Sequence, residues 1–446
     1  MKSSQETKKS SRWFSLCALS AGYFLIMLDQ AVMPVLTPRL PAAVDDQVWI
    51  TSIYLLCTVV PMLVTGRLGD KRGQRRIYLV GLVAYIAGLL VCALSSSFIA
   101  LVVGRAIQGL GAAAFLPQAF SIIGRVFPSD ARGPAFALWG VVGSIGSLVG
   151  PLFAGVLLNE FGWRSAFAAQ VALGTVALIL AVLWLPRLST TSAVIDAPSV
   201  LISLAGLGLL MWGIQYAQAW AIVVGLVALI LFAWLQTRSG DEALLPLGLF
   251  RNRNFTLGSI GIAAMGFVVA CQFIPIMYWL QDIRGLDAVT AGLLTIPMSI
   301  VALVLTPFVG VAADRIDPKV LSVVGFGTLF VSMVWSWALM LGEGSALWMI
   351  GITALKGVGS AFIWAPNAAT TMRTIPESAS GAASGAYNTV RQVGSVIGVA
   401  LIGGALGTWT PALGLQAATA WTMLILAAVM LVGLVASLFL VSDIEQ

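Results

Sequence analysis

Fourteen apolar runs of 18 to 26 residues, nearly bare of charge, fill most of this 446-residue chain. Each is long enough to cross a hydrocarbon layer of ~30 Å as a helix of about 20 residues. Their bounds read 13–36, 47–65, 77–95, 98–122, 133–157, 165–185, 197–215 and 219–236, then 255–280, 288–311, 320–341, 346–370, 382–407 and 416–440. The weakest break is Tyr216-Ala217-Gln218, between the seventh and eighth. Asp, Glu, Lys and Arg make up only 9% of residues, against about 25% in soluble domains. A soluble fold needs a charged skin that this chain cannot supply. The expected class is therefore an all-α membrane protein with 14 spans. A soluble enzyme, a secreted disulfide scaffold, a disordered chain and a nucleic-acid binder are all excluded.

Several chemistries are missing. The chain has no histidine, so proton traffic would fall to carboxylates. Cys17, Cys57, Cys92 and Cys271 lie singly in apolar runs and read as small buried hydrophobes. There is no GxxxxGK[ST] phosphate loop. No catalytic set, metal site or cofactor is expected. The first apolar run lacks a small-residue cleavage site and reads as a retained span.

The basic residues orient the spans. With the N-terminus in the cytoplasm, inner segments hold Lys2, Lys8, Lys9, Arg12, Arg67, Lys71, Arg72, Arg75, Arg76, Arg125, Arg132 and Arg187, and also Arg238, Arg251, Arg253, Arg315, Lys319 and Arg373. Outer loops hold only Arg39, Arg164 and Arg284. This is the positive-inside bias, and a miscounted helix would scramble it. Both termini are expected in the cytoplasm of a cell that carries the protein in its plasma or inner membrane. The longest inner loop, 237–254, contains LLPLGLFRNRNF. It is either a segment lying on the inner leaflet or a plain linker.

The two ends of the chain repeat each other. Gly66, Asp70 and Gly81 match Gly310, Asp314 and Gly325 at a shift of 244. Ala106, Gly109, Gly111, Arg125, Pro128, Gly133, Gly146, Ser147 and Gly150 match Ala354, Gly357, Gly359, Arg373, Pro376, Gly381, Gly394, Ser395 and Gly398 at 248. The first six spans thus repeat as the last six, and both copies start on the same side. The expected organisation is a six-helix bundle over 1–190, two inserted helices and a cytoplasmic linker over 191–253, and a second six-helix bundle over 254–446. A parallel repeat of this kind is the layout of a two-bundle alternating-access transporter.

With that layout in view, local motifs identify a family resemblance. GRLGDKRGQRR (66–76), RAIQGLGAA (105–113), GPLFAGVLLNEFGWRSAF (150–167), LDQAVMPVLTP (28–38) and AGLLTIP (291–297) together resemble the major facilitator superfamily, in particular its fourteen-helix drug:proton antiporters. The first-helix motif keeps Leu28, Asp29 and Pro38, but has Ala31 and Pro34 where that group usually has Thr and Asn. The resemblance covers essentially the whole chain.

Four ionisable side chains fall inside spans: Asp29, Arg105, Lys356 and Arg391. An intramembrane charge is expensive and is a functional candidate by default. Counting ~1.5 Å per residue puts Asp29 and Arg105 at one depth, about 10 Å below the outer helix ends. Burial favours the protonated form of a carboxyl and a nearby arginine favours the ionised form. A group poised between the two can load and release a proton, and the resemblance implies a proton-coupling role for this acid and this arginine. The other reading of the pair is a static clamp. Lys356 stands at the repeat position of Gln108 and reads either as a contact to an anionic or zwitterionic substrate or as a structural partner. Arg391, in NTVRQVG, resembles a recurrent feature of the fourteen-helix group and carries the same two readings.

The resemblance implies a cytoplasmic latch in which Asp70 docks on the N-terminus of the thirteenth span, near Ser380 and Gly381. The partial positive charge of a helix N-terminus makes that sound. Arg72, Arg75 and Arg76 could add pairs, and Gly66 belongs to the same motif. Gly150 and Pro151, with the other glycines of the fifth span, allow close approach and a kink. They read as a gating device at the bundle interface or as ordinary close packing. Candidate substrate contacts besides Lys356 and Arg391 are Trp139 and Tyr387, which occupy equivalent repeat positions, and Gln118, Asn367, Trp364 and Gln272. An aromatic, mostly apolar cavity with few polar groups suits amphiphiles. The expectation is a proton-coupled exporter of small amphiphilic organic compounds. Its partners would be a small-molecule substrate, protons and membrane lipids, and the protein would act as a monomer. The alternative is an exporter dedicated to one metabolite or lipid-like product.

Overall fold

Inside a hydrocarbon layer no water is available to peptide groups, so a chain of this composition must close its hydrogen bonds within helices. The computed structural model describes residues 2–188, 190, 197–238, 247–313, 315–375 and 380–441. All its regular structure there is helical. The helices are α1 (Lys2–Leu36), α2 (Val44–Arg72), α3 (Gln74–Leu94), α4 (Phe98–Val126), α5 (Ser129–Phe161), α6 (Trp163–Trp184), α7 (Ala197–Gln215) and α8 (Ala219–Arg238). After them come α9 (Arg253–Cys271), α10 (Phe273–Tyr278), α11 (Ala288–Leu293), α12 (Ile296–Ala312), α13 (Pro318–Leu341), α14 (Trp348–Met372), α15 (Ser380–Leu413) and α16 (Leu415–Leu438).

A helix stands at each of the fourteen expected places. Twelve stretches are long and apolar enough to cross a membrane. Two of these are composite: Arg253–Ile283 joins α9, α10 and a π-helical turn, and Ala288–Ala312 joins α11 and α12. α2 is a thirteenth candidate, bent by 46° between Val59 and Val64, where Pro61 removes a backbone donor. The apolar part of α7, Leu201–Gln215, is shorter than the rest. Many helices run past their apolar cores. α5 extends from Ser129 to Phe161, because helical hydrogen bonding continues into the flanks where water takes over the outer faces. Apolar side chains such as Val80, Ile99, Val176, Val227 and Ile230 are exposed, as lipid-facing residues must be. The protein is a multi-pass membrane protein.

The chain forms two compact units. One comprises Met1–Ala42 and Ile53–Leu204, the other Ala43–Ser52 and Ala205–Gln446. In the first unit, α3 and α4 meet through Gly81, Gly88, Gly104 and Gly111, each of which would place a Cβ against the backbone of the facing helix. α5 lies on α1 through Gly143, Gly146 and Gly150. The second unit repeats both devices. Gly325 and Gly359 seat α13 on α14, and Gly394 and Gly398 seat α15 on α9. Gly109 sits 2.5 Å, as a would-be Cβ, from the carbonyl of Tyr54, and Gly357 sits 2.5 Å from that of Met298. These contacts reproduce the 244 and 248 shifts of the sequence repeat. Asp314 lies outside the described residues.

The turns α5–α6 and α15–α16 also correspond. Gly162 and Gly414 adopt φ of 78° and 82°, a left-handed conformation that a Cβ would strain. Between α8 and α9, Leu247–Arg251 forms a 3₁₀ turn. Leu249 and Phe250 pack on Phe255, Ala383 and Ala386, with Met372 and Ile375 alongside. These side chains therefore cover protein, which neither expectation for this loop foresaw. In the second unit, the first turns of α2 are held by three hydrogen bonds. Tyr216 donates to Asp46 at 2.8 Å, Tyr278 donates to Gln47, and Ser52 donates to Gln215 at 3.0 Å.

Candidate functional site

Three charged side chains are buried among the described residues: Asp29, Arg105 and Lys356. Two of them meet. Asp29 on α1 is 0% exposed and Arg105 on α4 is 1% exposed. Arg105 Nη1 donates to both carboxylate oxygens, at 3.0 and 2.8 Å. The same nitrogen donates to Gln108 Oε1 at 2.7 Å. Gln108 lies three residues on and therefore on the same face of α4. The guanidinium also sits 4.3 Å over the ring of Tyr54, a cation–π contact that strengthens when water is excluded. Tyr85 on α3 stands within electrostatic reach of both charges. The side chains of Tyr54, Tyr85 and Gln108 are buried beside the pair. Sequence reasoning missed these three residues as site members. Gln108 was accessible from its i+3 spacing to Arg105. Tyr54 and Tyr85 carried no local signal, since an aromatic residue in a span reads equally as lipid-facing.

At the end of α2 carrying the 66–76 motif, a second polar chain forms. Asp70 accepts from Gln74 at 2.9 Å, and Gln74 accepts from Arg125 on α4 at 2.9 Å. Gln74 also donates to Ser121 at 3.3 Å. Arg75 donates to the carbonyl of Val182 on α6 at 2.7 Å, so this arginine is engaged inside its own unit. Arg72 is exposed. Gly66 meets Pro117 at an ordinary 3.8 Å. The surroundings of Ser380 and Gly381, the expected partner region of Asp70, lie outside what the structure describes.

Gly150 faces Leu28 and Ala31 of α1, one and two residues from Asp29, and Pro151 follows it inside α5. Trp139 is also engaged within the first unit. It stacks on Tyr23 at 3.8 Å, meets Phe120 edge-on at 4.6 Å, and donates to the Leu19 carbonyl at 3.4 Å. Gln118 lies over Gly69 and donates to the Thr65 carbonyl at 2.6 Å, tying α4 to α2.

In the second unit, Lys356, Ser360, Trp364 and Asn367 recur at three- and four-residue intervals along α14 and share one face. Trp364 donates to Ser360 at 3.1 Å, and the Arg391 guanidinium of α15 lies 5.9 Å from its ring. Asn367 donates to the Tyr387 hydroxyl at 2.7 Å and to the Gly258 carbonyl at 2.9 Å. Gln272, at the break between α9 and α10, donates to the Met298 sulfur at 3.6 Å. The candidates in this half thus lie on α14, on α15 and at the α9–α10 break, whereas Trp139 and Gln118 lie in helix contacts of the other half.

Comparison with known proteins agrees with this architecture. Residues 19–399 match the family model described as Major Facilitator Superfamily. The chain is 38% identical to an uncharacterized MFS-type transporter of Mycobacterium tuberculosis, over 87% of this chain and 69% of that protein. It is 26% identical to the riboflavin transporter RibZ of Clostridioides difficile, over 87% of each. It is 29% identical to the multidrug resistance protein Stp of M. tuberculosis, over 89% of this chain and 76% of that one. Among solved structures, an auto-inhibited POT family peptide transporter superposes with a TM-score of 0.74 at 19% identity, covering 97% of this chain and 98% of that one. That likeness concerns the fold alone.

Proposed function

The chain belongs to the major facilitator superfamily, and from that premise we propose that it is a proton-coupled antiporter expelling small amphiphilic organic compounds by alternating access. The observation that carries the reading is the buried pair of Asp29 and Arg105. Two opposite charges in low dielectric stabilise each other strongly, and removing either charge leaves the other uncompensated. Protonation of Asp29 removes its charge without moving an atom. Arg105 must then rely on Gln108 and the Tyr54 face. The local energy of the unit therefore depends on one proton, which is the requirement for coupling. A proton reaching Asp29 from outside would favour one state. Its release to the cytoplasm, as substrate loads, would favour the other.

Asp70, with Arg72, Arg75 and Gly66, acts in this reading at the cytoplasmic gate, and Gly150 and Pro151 act at the α1–α5 crossing. Lys356, Arg391, Trp364, Tyr387, Asn367 and Gln272 line the substrate side of the second unit. Multidrug export draws support from the likeness to Stp. A carrier for one aromatic metabolite draws support from the likeness to RibZ. The discriminating experiment reconstitutes the protein in liposomes, imposes a pH step, and follows a panel of unrelated amphiphiles together with internal pH. Proton entry coupled to the exit of several unrelated compounds is expected. Movement of one compound only favours the dedicated carrier, and substrate flux that ignores the pH step refutes antiport.

A further inference from the structure

Lys356 is fully buried in α14, and its Nζ has no hydrogen-bond partner among the described residues. An ammonium cut off from water and from any counter-charge is a state that proteins avoid. The described carboxylates of the same unit do not relieve it. Asp46 accepts from Tyr216, Asp287 caps α11, Asp317 caps α13, and Asp282 and Glu343 stand near helix ends. The buried acid of the first unit, Asp29, is held by its own arginine. The repeat sharpens the contrast. At the equivalent position Gln108 accepts from Arg105, which is neutralised by Asp29. Among the described residues, the first unit's buried cation has its counter-ion, and the second unit's has no hydrogen-bond partner.

A second, independent group points the same way. Gln272 is buried, and its Oε1 also has no partner. Its nitrogen reaches only the soft sulfur of Met298. The carbonyl of that same methionine abuts Gly357, next to Lys356. Met298 thus links the α9–α10 break, through its sulfur, to the turn of α14 that carries Gly357 and Lys356. Along the same face of α14 lie Ser360 and the Trp364 ring.

We infer that Lys356 and Gln272 form a head-group site for a carboxylate-bearing amphiphile. The carboxylate pairs with the Lys356 ammonium, a hydroxyl or N–H beside it donates to Gln272 Oε1, and the aromatic body extends toward Trp364. This rests on the export reading and narrows its substrate class from amphiphiles in general to anionic or zwitterionic ones.

The test uses the full-length protein and two fluorescent probes of one shape, 1-pyrenebutyric acid and 1-pyrenebutanamide. Binding is read in nanodiscs. A charge-assisted hydrogen bond predicts that the wild type binds the acid roughly ten- to hundredfold more tightly than the amide. Lys356→Met should abolish that preference with little effect on the amide, and Lys356→Arg should keep much of it. Equal wild-type affinity for the two probes overturns the proposal, and so does a preference that survives Lys356→Met. The wild-type comparison stands even if a variant fails to fold. Proton-driven efflux of ethidium from liposomes is measured in parallel. Efflux without acid preference sinks this inference alone, and acid preference without pH-driven flux sinks the antiport reading alone.

Discussion

Replacing Asp29 by Asn tests the central pair without changing its shape. Asp29 and Arg105 are 0% and 1% exposed, and both carboxylate oxygens contact Nη1 within 3.0 Å. Removing one partner of a buried pair costs about 3–5 kcal/mol, because the remaining charge is left uncompensated. The asparagine carbonyl still accepts one hydrogen bond from the guanidinium, worth roughly 1.5 kcal/mol. Gln108 and the Tyr54 face are unchanged by the substitution. The expected net loss is therefore about 1.5–3.5 kcal/mol. Arg105→Met should also destabilise, since it leaves the carboxylate without its cation. The double variant Asp29→Asn/Arg105→Met removes both charges and should recover most of the loss. The coupling energy should be at least ~2 kcal/mol. The measurement is loss of helicity on titrating sodium dodecyl sulfate into mixed micelles, compared across the four proteins. In liposomes the Asn variant should also lose pH-driven efflux while inserting normally. Losses that add within ~0.5 kcal/mol would refute the view that each charge is held by the other. Retained pH-driven transport would remove Asp29 from its proposed role.

Four further outcomes are expected. Lys356→Met should raise resistance to the same denaturant by about 1–4 kcal/mol in ligand-free protein, because an unpartnered buried ammonium is removed; a fall would make Lys356 a structural partner. Gly109→Val and Gly357→Val should each sharply reduce membrane-inserted protein on immunoblots, since the new Cβ meets backbone at 2.5 Å. Gly140→Ala, with nothing within 4 Å, should be neutral or stabilise slightly. Asp70→Asn should slow initial efflux rates across a drug panel without changing the panel's rank order, because it weakens the Gln74–Arg125 chain and the proposed gate; a changed order at full rate would contradict that.

Several parts of the architecture were legible in the residues alone. Apolar length located a helix at each of the fourteen expected places, twelve or thirteen of them long and apolar enough to span, because a bilayer demands about 20 apolar residues per crossing whatever their neighbours. The glycine matches at shifts of 244 and 248 marked the repeat, and the paired contacts of Gly109 and Gly357 show why those glycines are needed. Depth counting put Asp29 and Arg105 at one level, where the structure joins them. The bend in α2 and the packing of Leu249 and Phe250 were not legible. Neither were the helix contacts that Trp139 and Gln118 make.

The sequence by itself determined that this chain lives in a membrane, how many helices it offers, that it repeats, and which few charges must be explained. Only the tertiary structure decided which partner each buried group has: Asp29 meets a cation, Gln108 supports it, and Lys356 is left unanswered. The reason lies in the solvent. In water, an apolar stripe tells the inward face of a helix from the outward one. In lipid both faces are apolar, so hydropathy reports that a residue has left water but not what it touches.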